Sequence, residues 1–467
     1  MMPLNNINYD PKTTATNLAN SYVAGQQLAI DNRNKIVTST TSGLTSLSSA
    51  MSAFQGTLSS LSLGTKTISA NSATFSAAVG TATANSLASP GTYSFYVQQL
   101  ATAGQVSYGG LTDTAAAGSG NLNVMLADGS SFQISLNTAD SNLDGSLSAK
   151  EIAAAINVTA ANNSRVTAST LNIDGATTLV LTSNKTGADN GVTLDTSGVT
   201  NAALKAMLDD PSQKKTVVAA QNAVVWVGAQ TTGTKIEQAS NTFSVIDGVT
   251  MTFNKAQAAT ETAPVTLTVG SDSAATSANV QSFVDAYNKL ITTLDGLTDA
   301  GDPGKKVAAG VFASDSGLAA LRNNLLATLR TGLGGQSLVN YGIAAKRDGT
   351  LELNTGRLNK AVLANPGGLD GLFGKASLSA NGGVLGKLDK LMGQWTNSAN
   401  GQLTSRKTTI SKEQLSLTDR QSKVQAQFDN AYGRYLTQFT NLQTLQSKMN
   451  NTSSLFTALF SSNNSSS

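Results

Sequence analysis

Apolar residues recur with heptad spacing near both ends of the chain, and this feature constrains the fold most. Near the N-terminal end they are separated by steps of 3, 4, 3, 4 and 3, at Leu44, Leu47, Met51, Phe54, Leu58 and Leu61. Near the C-terminal end they return every seven residues, at Leu403, Ile410, Leu417, Val424 and Ala431. This spacing is the seam of a coiled coil, so it predicts two helices that each bury one stripe against a partner helix.

Both predicted helices extend beyond these seams. We expect the first stripe to continue upstream through Leu18, Tyr22, Ala29 and Ile36. Phe428, Tyr435, Leu442 and Met449 supply a second seam position for a helix from about Gln402 to Asn450, followed by a disordered SSNNSSS tail. Such polar-rich helices are marginal alone. The pattern is compatible with an intramolecular hairpin, with packing between subunits, or with both.

The middle of the chain, from about residue 65 to 270, alternates apolar and polar residues between tight turns, which is typical of β-hairpins. The Asp-Gly pairs at 128–129, 174–175 and 247–248 predict hairpin turns. We expect two β-rich modules, of which residues 111–215 are inserted into the other. Helices return after residue 270, with a further hairpin at Asp348-Gly349, a helix opened by Asp315 or Ser316, and one capped by Asn354.

The composition argues against most enzyme chemistry. The 467 residues include no cysteine and no histidine, and 31 Lys and Arg balance 28 Asp and Glu. Disulfides, thiolate nucleophiles, structural zinc sites and the usual general base are therefore excluded, and an enzyme is not expected. The even charge predicts neither nucleic acid nor membrane as a partner. The N-terminal sequence lacks the basic and apolar regions of a Sec-type signal peptide.

One acidic stretch, DSNLDGSLSAKE, has the spacing of an EF-hand calcium loop. The candidate metal ligands are Asp140, Asn142, Asp144, Ser146, Ser148 and Glu151. No helix is predicted to enter this loop, so a calcium-sensor mechanism, which reorients two helices, is not expected. The alternatives are a structural calcium site and a polar connection in which Ser148 and Glu151 form the capping box of the next helix. No cofactor is required in either case.

Several stretches in chain order resemble segments of bacterial flagellar filament cap proteins, the hook-associated protein type 2 family. They are SPGTYSFYVQQLATAGQVSYGG, SFQISLNTADSNLDGSLSAKEIAAAIN with LVLTSNKTGADNGVTL, NTFSVIDGVTMTFNKA, VQSFVDAYNKLITTL, YGIAAKRDGTLELNTGRLNKAVLANPGGLDGLFG and GQLTSRKTTISKEQ. Each stretch taken alone shows only turn residues and an amphipathic pattern. The occurrence of all of them in this order along the chain is specific for the family. The N-terminal helix is less apolar and less charged than is common in the family, and the DSNLDGSLSAKE loop is longer.

The resemblance implies an α+β multidomain fold with terminal coiled-coil helices, a helical leg domain and nested β-rich head domains. The expected parts are a terminal segment (1–40) that orders fully on assembly, a leg helix (41–66) paired with a helical leg domain (272–415), an inner β head (67–112 and 216–271), an inserted outer head (113–215), and a C-terminal coiled-coil helix with its tail (416–467).

The function implied by the resemblance is a structural cap at the distal end of the flagellar filament, which retains exported flagellin and promotes its folding and insertion. The implied partners are further copies of the chain in a ring, flagellin, the flagellar type III export apparatus, an export chaperone and, as for some caps, host mucin. The expected location is the extracellular tip of the flagellum. Candidate contacts with other subunits or flagellin are Leu44, Leu47, Met51, Phe54, Leu58, Phe428, Tyr435, Leu442, Leu445, Met449, Leu455 and Phe456.

Two alternatives remain open at this stage. The first is another axial flagellar protein, such as a hook–filament junction protein or a flagellin, which the nested β insertion disfavours. The second is a secreted calcium-binding adhesin or enzyme built around the Asp140 loop. It predicts further calcium motifs or a catalytic constellation, and the sequence contains neither.

Overall fold

The chain forms two units that are nested in sequence. The computed structural model describes residues 10–62, 64, 66–173, 176–330, 335–376 and 382–462. One unit, here called the helical unit, comprises Met1–Leu63 and Ser277–Ser467, and the other, the β unit, comprises Gly64–Thr276. The combination of long terminal helices with β-rich domains confirms the predicted fold class. The start of the predicted terminal segment (1–9) and the end of the predicted tail (463–467) lie outside the described residues.

The helices begin at capping residues that the sequence largely reveals. Asp10 accepts hydrogen bonds from the backbone N–H groups of Lys12 and Thr13, and the Asp315 carboxylate accepts one from the N–H of Leu318. The helices are α1 (Pro11–Ser60), α2 (Ala149–Val158), α3 (Ala202–Asp209), α4 (Ser273–Thr298), α5 (Ser316–Arg330), α6 (Thr355–Ala364), α7 (Gly368–Phe373), α8 (Gly383–Thr396) and α9 (Gln402–Ser462). The predicted start of α9 is confirmed, and its end lies a further three turns beyond Asn450.

Strands occupy the middle of the chain and one hairpin of the helical unit. They are β1 (Ala70–Phe75), β2 (Gly80–Ala84), β3 (Gly91–Gln99), β4 (Ala103–Tyr108), β5 (Thr114–Ala115), β6 (Asn121–Leu126), β7 (Ser131–Ser135), β8 (Ser146–Leu147), β9 (Val166–Ile173), β10 (Ala176–Thr186), β11 (Val192–Asp195), β12 (Lys214–Val218), β13 (Ala223–Val227), β14 (Thr234–Gln238), β15 (Thr242–Ile246), β16 (Val249–Phe253), β17 (Val265–Asp272), β18 (Ile343–Ala345) and β19 (Leu351–Leu353). The hairpins turning at Gly129, Gly248 and Gly349 are confirmed, and each of these glycines has a positive φ. The predicted turn at Asp174-Gly175 lies outside the described residues, between the paired strands β9 and β10.

The β unit contains two hydrophobic cores. One is built from residues on both sides of the insertion, such as Phe95, Phe243 and Phe253, and its main sheet has the order β1-β17-β3-β13-β14. The other collects residues of the inserted segment, such as Leu122 and Ile152, together with Val106 and Tyr108 of β4. Because β4 pairs with β10 and β12, the outer module begins before the predicted boundary at residue 113. The predicted nesting is seen in the strand pairing, because β3 pairs with β13 and β17, which follow the inserted segment in the chain.

The helical unit is held by an aromatic cluster. The ring of Phe54 lies 6.2 Å from that of Tyr287, and Phe283 meets Phe373 edge-on at 5.2 Å. Gly43 allows α1 to approach the segment between α4 and α5 closely. A Cβ at this position would lie only 2.7 Å from the Val311 Cγ1 atom.

The upstream part of the α1 seam differs from the prediction by one residue. Ala19, Val23, Ile30 and Val37 are buried, whereas Leu18, Tyr22 and Ile36 are 39%, 56% and 51% exposed, and Ala29 is exposed as well. The predicted stripe was therefore wrong in register. Stepping back by heptads from Leu44 reaches Val37, Ile30 and Val23, so the continuity of the seam outweighs the size of the neighbouring side chains.

Candidate functional site

The long helices α1 and α9 pack antiparallel along one seam, which we call the hairpin. Its central contact joins Val23 and Ile30 of α1 to Val424 of α9, with Phe428 packed against them. The small side chains Ala15, Ala19 and Ala431 continue the seam and are fully buried or nearly so. The heptad pattern allows pairing within one chain or between subunits. The structure shows the terminal helices paired within one chain.

Polar contacts across the seam set its register. The amides of Gln27 and Gln421 exchange two hydrogen bonds, at 3.0 and 2.8 Å. One and a half turns further along α1, Arg33 forms an ion pair with Glu413, and this hydrogen bond lowers the pKa of the Glu413 carboxyl. Both contacts would be lost if either helix shifted by one turn, because their partners would no longer be level.

Five of the predicted interface residues are instead core residues of the helical unit. Leu44, Leu47, Met51, Phe54 and Leu58 are at most 1% exposed. Their assignment to an intermolecular interface is corrected here, because other helices of the same chain cover this stripe. Phe54 contacts Phe283 and Tyr287 of α4, and α1 also packs against α8 and α9.

Two further candidates, Phe428 and Tyr435, lie at the edge of the hairpin and are half-buried. The Phe428 ring stacks on that of Tyr432 at 6.1 Å, and the guanidinium of Arg434 lies 5.2 Å from the Tyr435 ring centre. These aromatic side chains are thus already engaged within the chain, while keeping part of each ring accessible.

The remaining candidates form an exposed stripe at the end of α9. Gln27 is level with Gln421 and Arg33 with Glu413, so the helices are antiparallel, and the start of α1 lies level with a residue near 437 of α9. About 25 residues of α9, or roughly 37 Å at 1.5 Å per residue, therefore extend beyond α1. The large apolar side chains of this part are 47–64% exposed: Leu442, Leu445, Met449, Leu455, Phe456 and Leu459.

Leu459 belongs to this stripe, although the sequence reasoning missed it. It lies two heptads after Leu445 and three residues after Phe456, so extending the heptad count beyond Asn450 would have found it. The end of α9 thus carries an exposed apolar stripe that spans nearly five turns, from Leu442 to Leu459. Such a face is expected at a protein–protein contact.

The Asp140 loop is closed by its own hydrogen bonds. The two Asp140 carboxylate oxygens accept from the N–H groups of Leu143 and Gly145, at 2.7 and 2.9 Å. Asp144 accepts from the Ser146 N–H at 2.7 Å and from the Asn142 side chain at 2.9 Å. The loop follows a single 3-10 turn and leads into α2, so the missing entry helix is confirmed.

At the end of this loop Ser148 and Glu151 form a capping box. The Ser148 hydroxyl accepts from the Glu151 N–H, and a Glu151 carboxylate oxygen accepts from the Ser148 N–H at 3.0 Å. The second Glu151 oxygen accepts from the Ser141 N–H at 3.1 Å. The hydrogen bonds from Ser148, followed by that from Ser141, lower the pKa of Glu151. Within the described ranges no three Asp, Glu, His or Cys side chains are grouped so that they could hold a metal ion.

Comparison with known proteins identifies the family. The model of the flagellar hook-associated protein 2 N-terminus matches residues 8–104, and that of the C-terminus matches residues 220–451. The lateral flagellar hook-associated protein 2 of Vibrio parahaemolyticus is 35% identical over 381 residues, which cover 80% of this chain and 83% of that protein.

The chain belongs to the flagellar hook-associated protein 2 family. Another relative, the B-type flagellar hook-associated protein 2 of Pseudomonas aeruginosa, is 29% identical over 94% of this chain and 93% of its own length. Among solved structures, the D1-D2-D3 domains of the flagellar cap protein FliD from Escherichia coli match with a TM-score of 0.62 and 27% identity, over 79% of this chain and 99% of that one.

Membership of the hook-associated protein 2 family decides between the alternatives left open by the sequence. It favours a flagellar cap over a hook–filament junction protein, a flagellin or a calcium-binding adhesin. The two family models together include all of α1 and all of α9 except its last 11 residues, so the hairpin lies within the part of the chain that the family shares. Where the structure describes the chain, no helix has the length and hydropathy needed to cross a bilayer.

Proposed function

We propose that this chain is the structural cap at the distal end of a flagellar filament, where it retains exported flagellin and promotes its folding and insertion. The observation that carries the proposal is the exposed apolar stripe at the end of α9, in a chain of the hook-associated protein 2 family. A long helix with an exposed apolar stripe is suited to bind helices of a neighbouring subunit.

The side-chain composition of the hairpin suits a segment that is exported first and becomes ordered afterwards. Its seam is built from small and medium side chains, and its surface is rich in Gln, Ser, Thr and Asn, so the free energy that holds it together is modest. A chain without cysteine cannot be trapped by disulfides on reaching an oxidising exterior. We infer that the chain leaves the cell through the flagellar type III export apparatus, escorted by a cytoplasmic chaperone, and acts at the filament tip.

The cap is proposed to be a ring of several copies of the chain, as the resemblance implies. Contacts among the copies and contacts with flagellin both need exposed surface, which the half-buried Phe428 and Tyr435 and the stripe from Leu442 onward provide. Binding of host mucin stays a prediction of the resemblance.

Filament growth in a strain that lacks the gene for this chain tests the proposal. We expect such a strain to release flagellin into the medium and to carry short filaments or none. Purified full-length protein added to the cells should restore filaments with a visible cap in electron micrographs. Filaments that grow normally without the chain, or flagellin release that the added protein does not reduce, would contradict the function.

A further inference from the structure

Strand β12 (Lys214–Val218) forms one edge of the sheet β12-β4-β10-β9, which we call the open edge. It pairs antiparallel with β4 on one side, and in the described part of the chain no strand lies on its other side. All five residues of the strand are exposed, and the apolar side chains of Val217 and Val218 are exposed to 55% and 39%. An edge of this kind can accept a further strand through main-chain hydrogen bonds.

The hydrogen bonds between β12 and β4 determine which backbone groups point outward. The N–H of Gly109 donates to the carbonyl of Gln213 at 3.0 Å, so the backbone of Gln213 faces β4. Successive residues of an antiparallel strand point their backbone groups alternately toward the partner strand and away from it. Thr216, three residues after Gln213, therefore points its N–H and its carbonyl away from β4, at the centre of the open edge.

Side chains close two other strand edges of the same module. At the far end of the sheet, the amides of Asn157 and Asn162 form hydrogen bonds with backbone groups of β9. On β11, which is an edge strand of the neighbouring sheet, the Leu194 N–H donates to the hydroxyl of Tyr108 at 3.0 Å. Among the described residues, no side chain closes the open edge at Thr216 in this way.

A groove of about 370 Å³ lies beside the open edge. Lys214, Thr216 and Val218 line one side of it, and small residues, among them Gly104 and Gly191, supply much of the remaining lining. Side chains alternate between the two faces of a strand. Every second side chain of a strand added beside β12 would therefore be directed to the side on which this groove lies.

The open edge is positively charged. The Lys214 ammonium lies 5.8 Å from the centre of the Tyr108 ring, and neither Lys214 nor Lys215 forms an ion pair with a carboxylate that the structure describes. The charges of another edge strand, β14, are balanced, because Lys235 and Glu237 form an ion pair at 2.8 Å. The open edge thus favours a strand with acidic side chains, and its lysines disfavour pairing with β12 of a second copy.

We propose that the open edge binds an extended polypeptide segment with acidic side chains, which adds a strand beside Thr216 and places its carboxylates near Lys214 and Lys215. The identity of the partner rests on the proposed cap function, under which this segment belongs to exported flagellin that has not yet folded. An unfolded chain still has main-chain N–H and carbonyl groups without protein partners, and strand addition satisfies them. The open edge would then hold an incoming chain in an extended form until it folds.

Binding of a short peptide to the full-length protein tests the proposal. The probe is a fluorescein-labelled peptide in which valine, threonine and glutamate alternate, and its control carries lysine in place of glutamate. Fluorescence anisotropy should show that the glutamate peptide binds at least about tenfold more tightly, because its charge is opposite to that of the lysines. In hydrogen–deuterium exchange, the bound peptide should slow the exchange of the Thr216 amide, since this N–H becomes a donor to the added strand.

Two substitutions of Thr216 separate backbone pairing from the effect of its side chain. Thr216→Pro removes the outward N–H, which edge strands tolerate, and should weaken binding of the glutamate peptide at least about tenfold, whereas Thr216→Val keeps the N–H and should bind normally. Lys214→Glu with Lys215→Glu should weaken binding as well. The charge control is Lys150→Glu, at an exposed position of α2, which packs against β9 at the other end of the sheet. Circular dichroism verifies that each variant is folded.

The outcomes separate this inference from the proposed function. A folded Thr216→Pro variant that binds the peptide normally, or a bound peptide that leaves the Thr216 amide unprotected, would overturn the strand addition. Self-association of the unmodified protein that Thr216→Pro abolishes would assign the edge to a second copy, which also overturns it. If unmodified protein binds the peptide but fails to retain flagellin in the deletion strain, the strand addition stands and the cap function is wrong.

Discussion

Asp315 shows how one side chain can join two parts of the helical unit. Its carboxylate caps α5 through the N–H of Leu318 and forms a bidentate ion pair with Arg406 of α9. The Arg406 guanidinium also lies 5.4 Å from the ring centre of Trp395. The side chains of Asp315 and Arg406 are only 19% and 26% exposed, so solvent screens this pair less than a surface pair.

Replacing Asp315 by Asn should make stability less dependent on pH. The hydrogen bond from Arg406 is the main cause that lowers the pKa of Asp315 in the folded chain. A carboxyl whose folded pKa is depressed stabilises the fold above its unfolded pKa, and this contribution is lost as pH falls through the folded pKa. Asp315→Asn should therefore cost about 1–2 kcal/mol at pH 7, with the difference shrinking below about pH 4. Urea unfolding at several pH values measures it, and a loss that is constant with pH would contradict the ion-pair explanation.

Occupancy of the Asp140 loop by calcium stays a prediction, and melting temperature is its measurement. If millimolar calcium exceeds the dissociation constant tenfold, the gain is about 1.4 kcal/mol, or a few degrees. The unmodified chain should then melt higher in calcium than in chelator, and Asp140→Asn should abolish the difference. An identical melting temperature in both solutions would leave the loop as a connection closed by its own hydrogen bonds.

Among the elements, strand β9 has an unusual edge. It ends the sheet β12-β4-β10-β9, yet two side-chain amides act there as a substitute for a neighbouring strand. Asn157 donates to the carbonyl of Ala168 at 2.7 Å and accepts from its N–H at 2.8 Å. Asn162 does the same for Val166, at 2.7 and 2.9 Å. Both amides close part of an edge that could otherwise pair with another chain.

The two asparagines should differ in their effect on stability, because only Asn162 is buried, at 3% exposure. In Asn162→Ala the N–H and carbonyl of Val166 lose their partner where water has little access, so we expect a loss of about 2–3 kcal/mol. In Asn157→Ala water can replace the exposed amide, and the loss should remain below about 1 kcal/mol. Asn162 also donates to the Ile156 carbonyl and accepts from the Arg165 N–H, both at 3.1 Å, which adds to the expected difference. Chemical denaturation measures the loss in each variant. Equal losses would show that burial does not determine the effect.

The seams of α1 and α9 show which parts of the elements sequence reasoning can predict. The strict heptads from Leu44 to Leu61 and from Leu403 to Ala431 predict buried stripes, because large apolar side chains repeat without competition. Upstream, Leu18 and Tyr22 are larger than the neighbouring Ala19 and Val23, and choosing by size placed the stripe one residue away from the seam. The presence of a helix was predictable there. The face that this helix buries was not, because it is set by α9, a partner nearly 400 residues away in the chain.

At the scale of the whole molecule, the order of elements was predictable and the roles of individual apolar residues were not. Heptads and Asp-Gly turns specify helices towards both ends of the chain and hairpins in its middle. The same heptad pattern cannot distinguish Leu47, which is buried within the chain, from Leu442, which is 47% exposed. The difference arises because α9 is longer than α1 and extends past its start. Burial thus follows from the lengths of both helices rather than from the local pattern of either one.

The overhanging part of α9 should therefore be dispensable for folding and essential for capping. Replacing Leu442 and Leu445 by Asp adds two charges to an exposed face, so the melting temperature of the purified chain should change by no more than a few degrees. Flagellin retention in the deletion strain should be lost, because the apolar contact that the stripe offers is removed. The matched control, Gln443→Asp with Ser447→Asp, adds the same charge beside the stripe and should retain flagellin. Normal filaments from the Leu442 and Leu445 variant would show that capping does not depend on this stripe.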